Sequence, residues 1–195
     1  MVSRTVVCLL TLAAGFVWSA AGARADDDES RQAALRQSFM DAMAVVSLAP
    51  ISAAPDEEAD LRGYTLYPYL QAARLRRQLE LATPAAVGTV DALLPVDHDV
   101  IAFLREHGNA PVTAQLRATW LDSLAERRAW ATYLEHFDPG RDTEPALQCH
   151  ALAGRVATGQ TAGLVEDLTE TWLTPRTLPD ACDAALEWWR ARGGP

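Results

Sequence analysis

The chain has 195 residues, about the size of one ordinary domain, with 17 basic and 26 acidic side chains and a formal net charge of −9. That balance excludes the basic footprint of a nucleic-acid binder and of a polybasic membrane-surface protein. A content of 49% apolar and 22% charged residues excludes a disordered tail, and three cysteines are too few for a disulfide-knitted mini-protein or a four-cysteine zinc module.

Residues 1–25 read as a secretory signal peptide. Arg4 supplies the positive start, Thr5 to Val17 is apolar or small and uncharged, and Ala23-Arg24-Ala25 is a small-x-small cleavage site before Asp26. The run is shorter than the roughly 20 residues a spanning helix needs. Cys8 lies inside the apolar stretch and not after it, which argues against a lipoprotein anchor. Cleavage would remove Arg4, Arg24 and no acid, leaving 15 basic against 26 acidic side chains, or −11. No later segment is apolar enough to span a bilayer, so the expected address is a bacterial periplasm.

The body, 26–195, reads as helices laid end to end. Leu35, Phe39, Met43 and Val46 step by four, four and three between Arg31 and Ala49, and Pro50 and Pro55 stop that helix. Pro55 to Arg62 is acidic and reads as a linker. Pro68 suits the first turn of the next helix, with Leu66, Tyr69, Leu70, Ala73 and Arg77 on one side and Pro84 to Gly88 as its stop. Val100, Phe103, Leu104 and His107 mark a short helix capped by Asp97 or Asp99 and closed by Gly108-Asn109. Pro111 opens another, in which Val112, Leu116, Trp120 and Leu124 step by four. Trp130, Leu134 and Phe137 mark the next, ended by Pro139-Gly140. Helices then follow over Glu144–Thr158, around Leu164, Leu168 and Trp172 up to Pro175, and from about Pro179 to Arg192. About eight short helices with Pro/Gly turns point to an all-α superhelical array of antiparallel helices, an α-solenoid. A compact bundle is the competing architecture, because the spacings are too uneven for a strict repeat.

Export leaves Cys149 and Cys182 as an even pair in an oxidising compartment, and a disulfide between them is expected. The chain-entropy model values such a loop at roughly 3–4 kcal/mol. In stacked helix pairs the bond would join elements i and i+2. The alternative is two buried thiols.

No catalytic, cofactor-binding or metal-binding residue is assigned. Glu29-Ser30 lies in an acidic run that reads as a solvated tail. Asp97-His98-Asp99 are adjacent, not spaced as helix ligands, and fit a helix entry. His107, His136 and His150 are scattered, and Cys149 and His150 point apart on a helix. Gly154, Gly159 and Gly163 fall at expected turns and form no phosphate cradle. Trp120, Trp130 and Trp172 fall on apolar stripes and read as core. Trp188 and Trp189 cannot both face one core.

In order, the segments LYPYLQAARLRRQL (66–79), VIAFLREHGNAPVTAQLRATWLDSLAERRAWATYLEHFDP (100–139), CHALAG (149–154) and LTETWLTPRTLPDACDAALEWW (168–189) resemble the periplasmic soluble lytic murein transglycosylases. The likeness runs from about Leu66 to Trp189 and includes the cysteine pair. It implies the family's N-terminal U domain, a superhelical array without a catalytic residue. In that family a separate lysozyme-like domain uses one Glu as acid and then base. It cleaves between N-acetylmuramic acid and N-acetylglucosamine, leaving a 1,6-anhydro end. No Glu-Ser followed by a GLMQ-like segment occurs here. The expectation is therefore a non-catalytic periplasmic domain, cut at its C-terminal end. Its partners would be peptidoglycan, the family's catalytic region or a periplasmic protein. A free-standing helical adaptor is the main alternative.

Overall fold

The computed structural model describes residues 17–46, 48, 59–86, 92–173 and 177–194, with side chains from Asp27 onward. Among them nine α-helices and no strand occur: α1 (Val17–Val46), α2 (Ala59–Arg62), α3 (Tyr67–Ala86), α4 (Pro95–His107), α5 (Pro111–Glu126), α6 (Trp130–His136), α7 (Pro145–Ala157), α8 (Leu164–Trp172) and α9 (Asp183–Arg190). A 3₁₀ turn, Asp180–Cys182, leads into α9. The chain is an all-α helical array.

Proline sets three of the starts. Pro95, Pro111 and Pro145 open α4, α5 and α7, and each is preceded by an extended residue, Leu94, Ala110 or Glu144. The pyrrolidine ring disfavours the helical conformation in the residue before it, and the missing N–H costs nothing at the first position. Gly108 (φ 55°) turns the chain out of α4, and Gly163 (φ 70°) turns it into α8. At the end of α5 the left-handed position is held by Arg128 (φ 59°). There Ala129 N–H donates to Leu124 O at 2.9 Å and Arg128 N–H to Ala125 O at 3.0 Å. This is a Schellman closure with an arginine where glycine is usual.

The helices form two layers. The odd-numbered ones touch in sequence, α1 on α3, α3 on α5, α5 on α7 and α7 on α9. α4, α6 and α8 each pack on the two odd helices flanking them, and α2 packs on α1. Burial follows this order in three clusters. Phe39, Val46, Leu61 and Leu70 lie at one end, a large centre is built around Trp120, Leu121 and Tyr133, and Leu164, Leu168, Leu186 and Trp189 lie at the other. The Cys149 and Cys182 sulfurs lie at bonding distance inside this last cluster, their Cα atoms 4.6 Å apart. They join α7 to the turn before α9, two elements on.

A buried polar centre holds α4 to α5. Asp97 and Arg127 are both fully buried, with Nη2 2.8 Å from Oδ1. The same Oδ1 accepts Trp120 Nε1–H at 2.9 Å, and Oδ2 accepts the Leu94 N–H at 2.6 Å. Arg127 also donates to Ser123 O and Ala92 O. Asp97 thus stands at the third position of α4 and reaches back to its cap; it is not the cap itself, and His98 and Asp99 are exposed. The required geometry explains the choice: only a side chain inside the first turn can face both the cap and α5.

Several expectations are corrected. α1 begins earlier than Arg31 and runs through the Ala25–Asp26 junction as helix. Pro50 and Pro55 lie outside the described residues, and α2 occupies the end of the expected linker. α3 continues through Pro84 to Ala86. Leu66 and Tyr69 are exposed, and Ala72, Leu75 and Leu79 are buried with Leu70 and Ala73. α6 ends at His136, before Pro139. Gly154 lies inside α7 and not at a turn. A Cβ there would sit 3.1 Å from Trp130 Cε3, so glycine lets α6 approach. Trp172 is 42% exposed, whereas Trp189 is buried and Trp188 partly so.

Three substitutions test the fold. Arg127→Met should cost about 3–5 kcal/mol, because it strands a buried carboxylate. Asp97→Leu combined with Arg127→Met should recover much of that loss, as read from urea midpoints. Arg128→Gly should stabilise by about 0.5 kcal/mol, the relief of left-handed strain exceeding glycine's entropy cost.

Candidate functional site along the fifth helix

α5 is central to the odd row, and its sequence divides cleanly. Val112, Leu116, Trp120 and Leu124 face the core. Gln115, Thr119, Asp122 and Glu126 step by four, three and four along the opposite side. Two depressions share that side. The larger, about 810 Å³, lies between α5 and residues 141–147. The smaller, about 360 Å³, lies between α5 and Leu79, Glu80 and Thr83 of α3. Thr119 and Asp122 line both, so the two form one open groove crossing three odd helices.

The far wall is fixed by a second ion pair. Arg117 Nε lies 2.7 Å from Asp142 Oδ1, and its Nη2 lies 2.8 Å from Oδ2. Asp142 also accepts the Asp138 N–H at 2.8 Å, and Arg117 donates to His136 O. The loop after α6 is therefore clamped to α5 by a two-point contact. On the near side Thr83 and Ser123 hydroxyls share a 2.6 Å hydrogen bond, and Thr83 donates to Leu79 O. Beneath the groove, the buried Tyr133 hydroxyl donates to Leu147 O at 2.6 Å, and burial pushes its pKa up.

The groove is acidic. Glu80, Asp122, Glu126 and Glu144 line it, from α3, α5 and the cap of α7. Half-burial raises the Asp122 pKa, and the charges of Glu144 and Glu126 raise it further. Arg141 also lines the groove and donates to Gly108 O at 3.4 Å. The groove can accept hydrogen bonds and positive charge, and can donate from Gln115 and the neutral form of Asp122, the Thr119 hydroxyl being spent on Gln115 O. It is open along its length and keeps its carboxyls in contact with water.

The residues singled out in the sequence do not converge. His107 packs on Phe103 with ring centroids 4.2 Å apart, and His136 on Trp120 at 4.9 Å. His150 lies 6.4 Å from Trp130 and 6.3 Å from Tyr133, and burial lowers its pKa. Among the described residues no group of three His, Cys, Asp or Glu side chains is placed to hold a metal ion. None of the groove carboxylates was singled out from the sequence. The spacing of Thr119, Asp122 and Glu126 was readable as a polar face. That Glu80 and Glu144 join it depends on how α3 and α7 pack.

Asp122 carries a measurable consequence. Its folded pKa lies above the ordinary 3.8, so between those two values the folded chain binds the extra proton. Stability therefore falls as pH rises through that window. Asp122→Asn should raise the urea midpoint at pH 7, and the advantage should vanish near pH 3. An equal or lower midpoint at pH 7 would show that the carboxylate is not under strain.

No family model matches the chain, and no solved structure matches it. The chain is 29% identical to the soluble lytic murein transglycosylase of Salmonella typhimurium over 133 residues, covering 68% of this chain and 18% of that protein. It is 28% identical to the Escherichia coli K12 protein of the same name over 191 residues, covering 96% of this chain and 25% of that protein. The Escherichia coli O157:H7 protein agrees to the same extent. The chain spans about a quarter or less of the length of these curated relatives. No helix among the described residues is long and apolar enough to cross a membrane. Over nearly its whole length the chain is thus similar to soluble lytic murein transglycosylases, as the ordered segments of its sequence indicated.

Proposed function

We propose that this chain is an exported, non-catalytic helical array that serves murein turnover in the periplasm, as scaffold or as a holder of peptidoglycan strands. The observation that carries this reading is the likeness to murein transglycosylases across 96% of the chain. Among the described residues, most of those named above for that likeness fall on α3 to α9, and the cysteine pair is among them. Bond cleavage would belong to a catalytic region of the kind the family carries elsewhere, with its single acid-base Glu and its 1,6-anhydro product. Contact with murein would gain nothing from long-range attraction, since the chain carries −9 and murein peptides are acidic.

Export supports two further parts of the reading. Residues 1–25 act as a cleaved leader, so the mature chain begins at Asp26. Cys149 and Cys182 form a disulfide in the oxidising compartment, which staples α7 to the turn before α9.

Purified mature chain should pellet with isolated sacculi and release no 1,6-anhydro muropeptides detectable by mass spectrometry. Release of such products would make the chain an enzyme. Failure to pellet would remove the murein contact and favour the adaptor that holds a protein. Alkylation of exported chain without reductant should leave both cysteines unmodified, and Edman sequencing should begin at Asp26; two modified thiols would remove the staple.

A further inference from the structure

α6 and α8 stand on either side of α7 and leave a cleft of about 620 Å³ between them, within the usual range for small-ligand sites. Its two walls differ in chemistry. The α6 side is apolar, formed by Leu134, Phe137 and Pro139, with Phe137 stacked on the buried Tyr133 at 5.8 Å. The floor is Ala151 and Leu152 of α7. The α8 side presents Asp167, Glu170 and Thr171, and Gln148 adds a carboxamide from α7.

Among the described residues that line the cleft, the arginine, Arg155, is already committed. Arg155 Nη1 donates to Asp167, its Nη2 to Ala162 O at 2.7 Å and its Nε to Gln160 O at 3.3 Å. It neutralises Asp167 and closes the 160–162 turn, and so offers no cation to an anionic ligand. Glu170 is exposed and pairs with no described residue. What remains is an apolar wall facing acceptor oxygens and one amide, with an excess negative charge. A carboxylate accepts hydrogen bonds only, and a carboxamide both gives and accepts. This set repels anions. It suits a neutral ligand with one apolar face and a rim of hydroxyl and amide donors, the pattern of an N-acetylated sugar ring.

We propose that the α6–α8 cleft is a binding site for neutral N-acetylated glycan, with Glu170 and Gln148 taking the ring's hydroxyl and acetamido groups and Phe137 taking its apolar face. The proposal rests on the murein reading above and deepens it, by placing the contact at the sugar backbone and away from the acidic peptides.

The test uses a tetramer of β-1,4-linked N-acetylglucosamine and isolated sacculi with the full mature chain. Titration should saturate, with NMR shifts at α6, α7 and α8. Glu170→Ala and Gln148→Ala should each weaken binding about fivefold, the loss of one or two hydrogen bonds. Both positions are exposed, so thermal melts should match the parent and exclude misfolding. The same variants should reduce pelleting with sacculi. No saturable tetramer binding, or shifts confined to the α5 groove, overturns the cleft as the site. If sacculi still pellet in either case, the murein reading survives without it. Loss of both tetramer binding and pelleting in the parent chain overturns both.

Discussion

The carboxylate of Asp97 is the point on which the centre of the array depends. Burying one charge in a protein interior is costly, and burying two is tolerated only when every donor and acceptor finds a partner. Here the count nearly closes. Asp97 accepts from Arg127, Trp120 and the Leu94 N–H, and Arg127 spends its remaining donors on Ser123 O and Ala92 O. Three contacts meet at the Asp97 carboxylate, and two more extend from its partner Arg127. They fix the entry of α4, the rotation of α5 and the approach of the strandless segment before Pro95. A hydrophobic contact of equal area would hold the helices together without selecting one rotation, because apolar attraction has no direction.

That rotation decides what α5 shows on its other side. With Trp120 pinned inward, Thr119 and Asp122 must line the open groove. The Arg117–Asp142 pair then sets the groove's far wall by clamping the loop after α6. Two ion pairs thus act on one helix, Arg117 from its middle and Arg127 from its C-terminal cap. Among the described residues the C-terminal cluster has no comparable polar centre. It depends on Leu164, Leu168, Leu186 and Trp189 packing around the cysteine pair, so its attachment to the rest passes through α7 alone among the odd helices.

Helix placement was legible because the evidence for it is local. Proline at a first position, glycine at a left-handed turn and apolar steps of three and four act over a single turn of chain, and α5 and α7 follow them closely. The failures have a different physical origin. Pro84 has the sequence signal of a stop, yet α3 runs through it to Ala86. Gly154 looks like a turn until Trp130 is seen crossing it. Trp172 has the spacing of a core residue, yet α8 already buries Leu164 and Leu168 on its inner side and leaves the tryptophan outside. The groove was illegible for the same reason as Gly154: its carboxylates come from α3, α5 and α7, and only packing brings them together.

The distribution of charge constrains what such a chain can hold. Arginine is the only basic side chain besides histidine, and Arg127, Arg117 and Arg155 are paired within the chain with Asp97, Asp142 and Asp167. The internal pairs cancel, and the excess negative charge is left on the surface, including the groove along α5. A polyanion would therefore meet repulsion wherever it approached through these faces, and salt would weaken that repulsion without reversing it. Attraction to a murein-like polymer has to come from its uncharged part and from short-range contacts. An apolar wall set against acceptor oxygens, as between α6 and α8, meets that requirement, whereas a row of carboxylates does not.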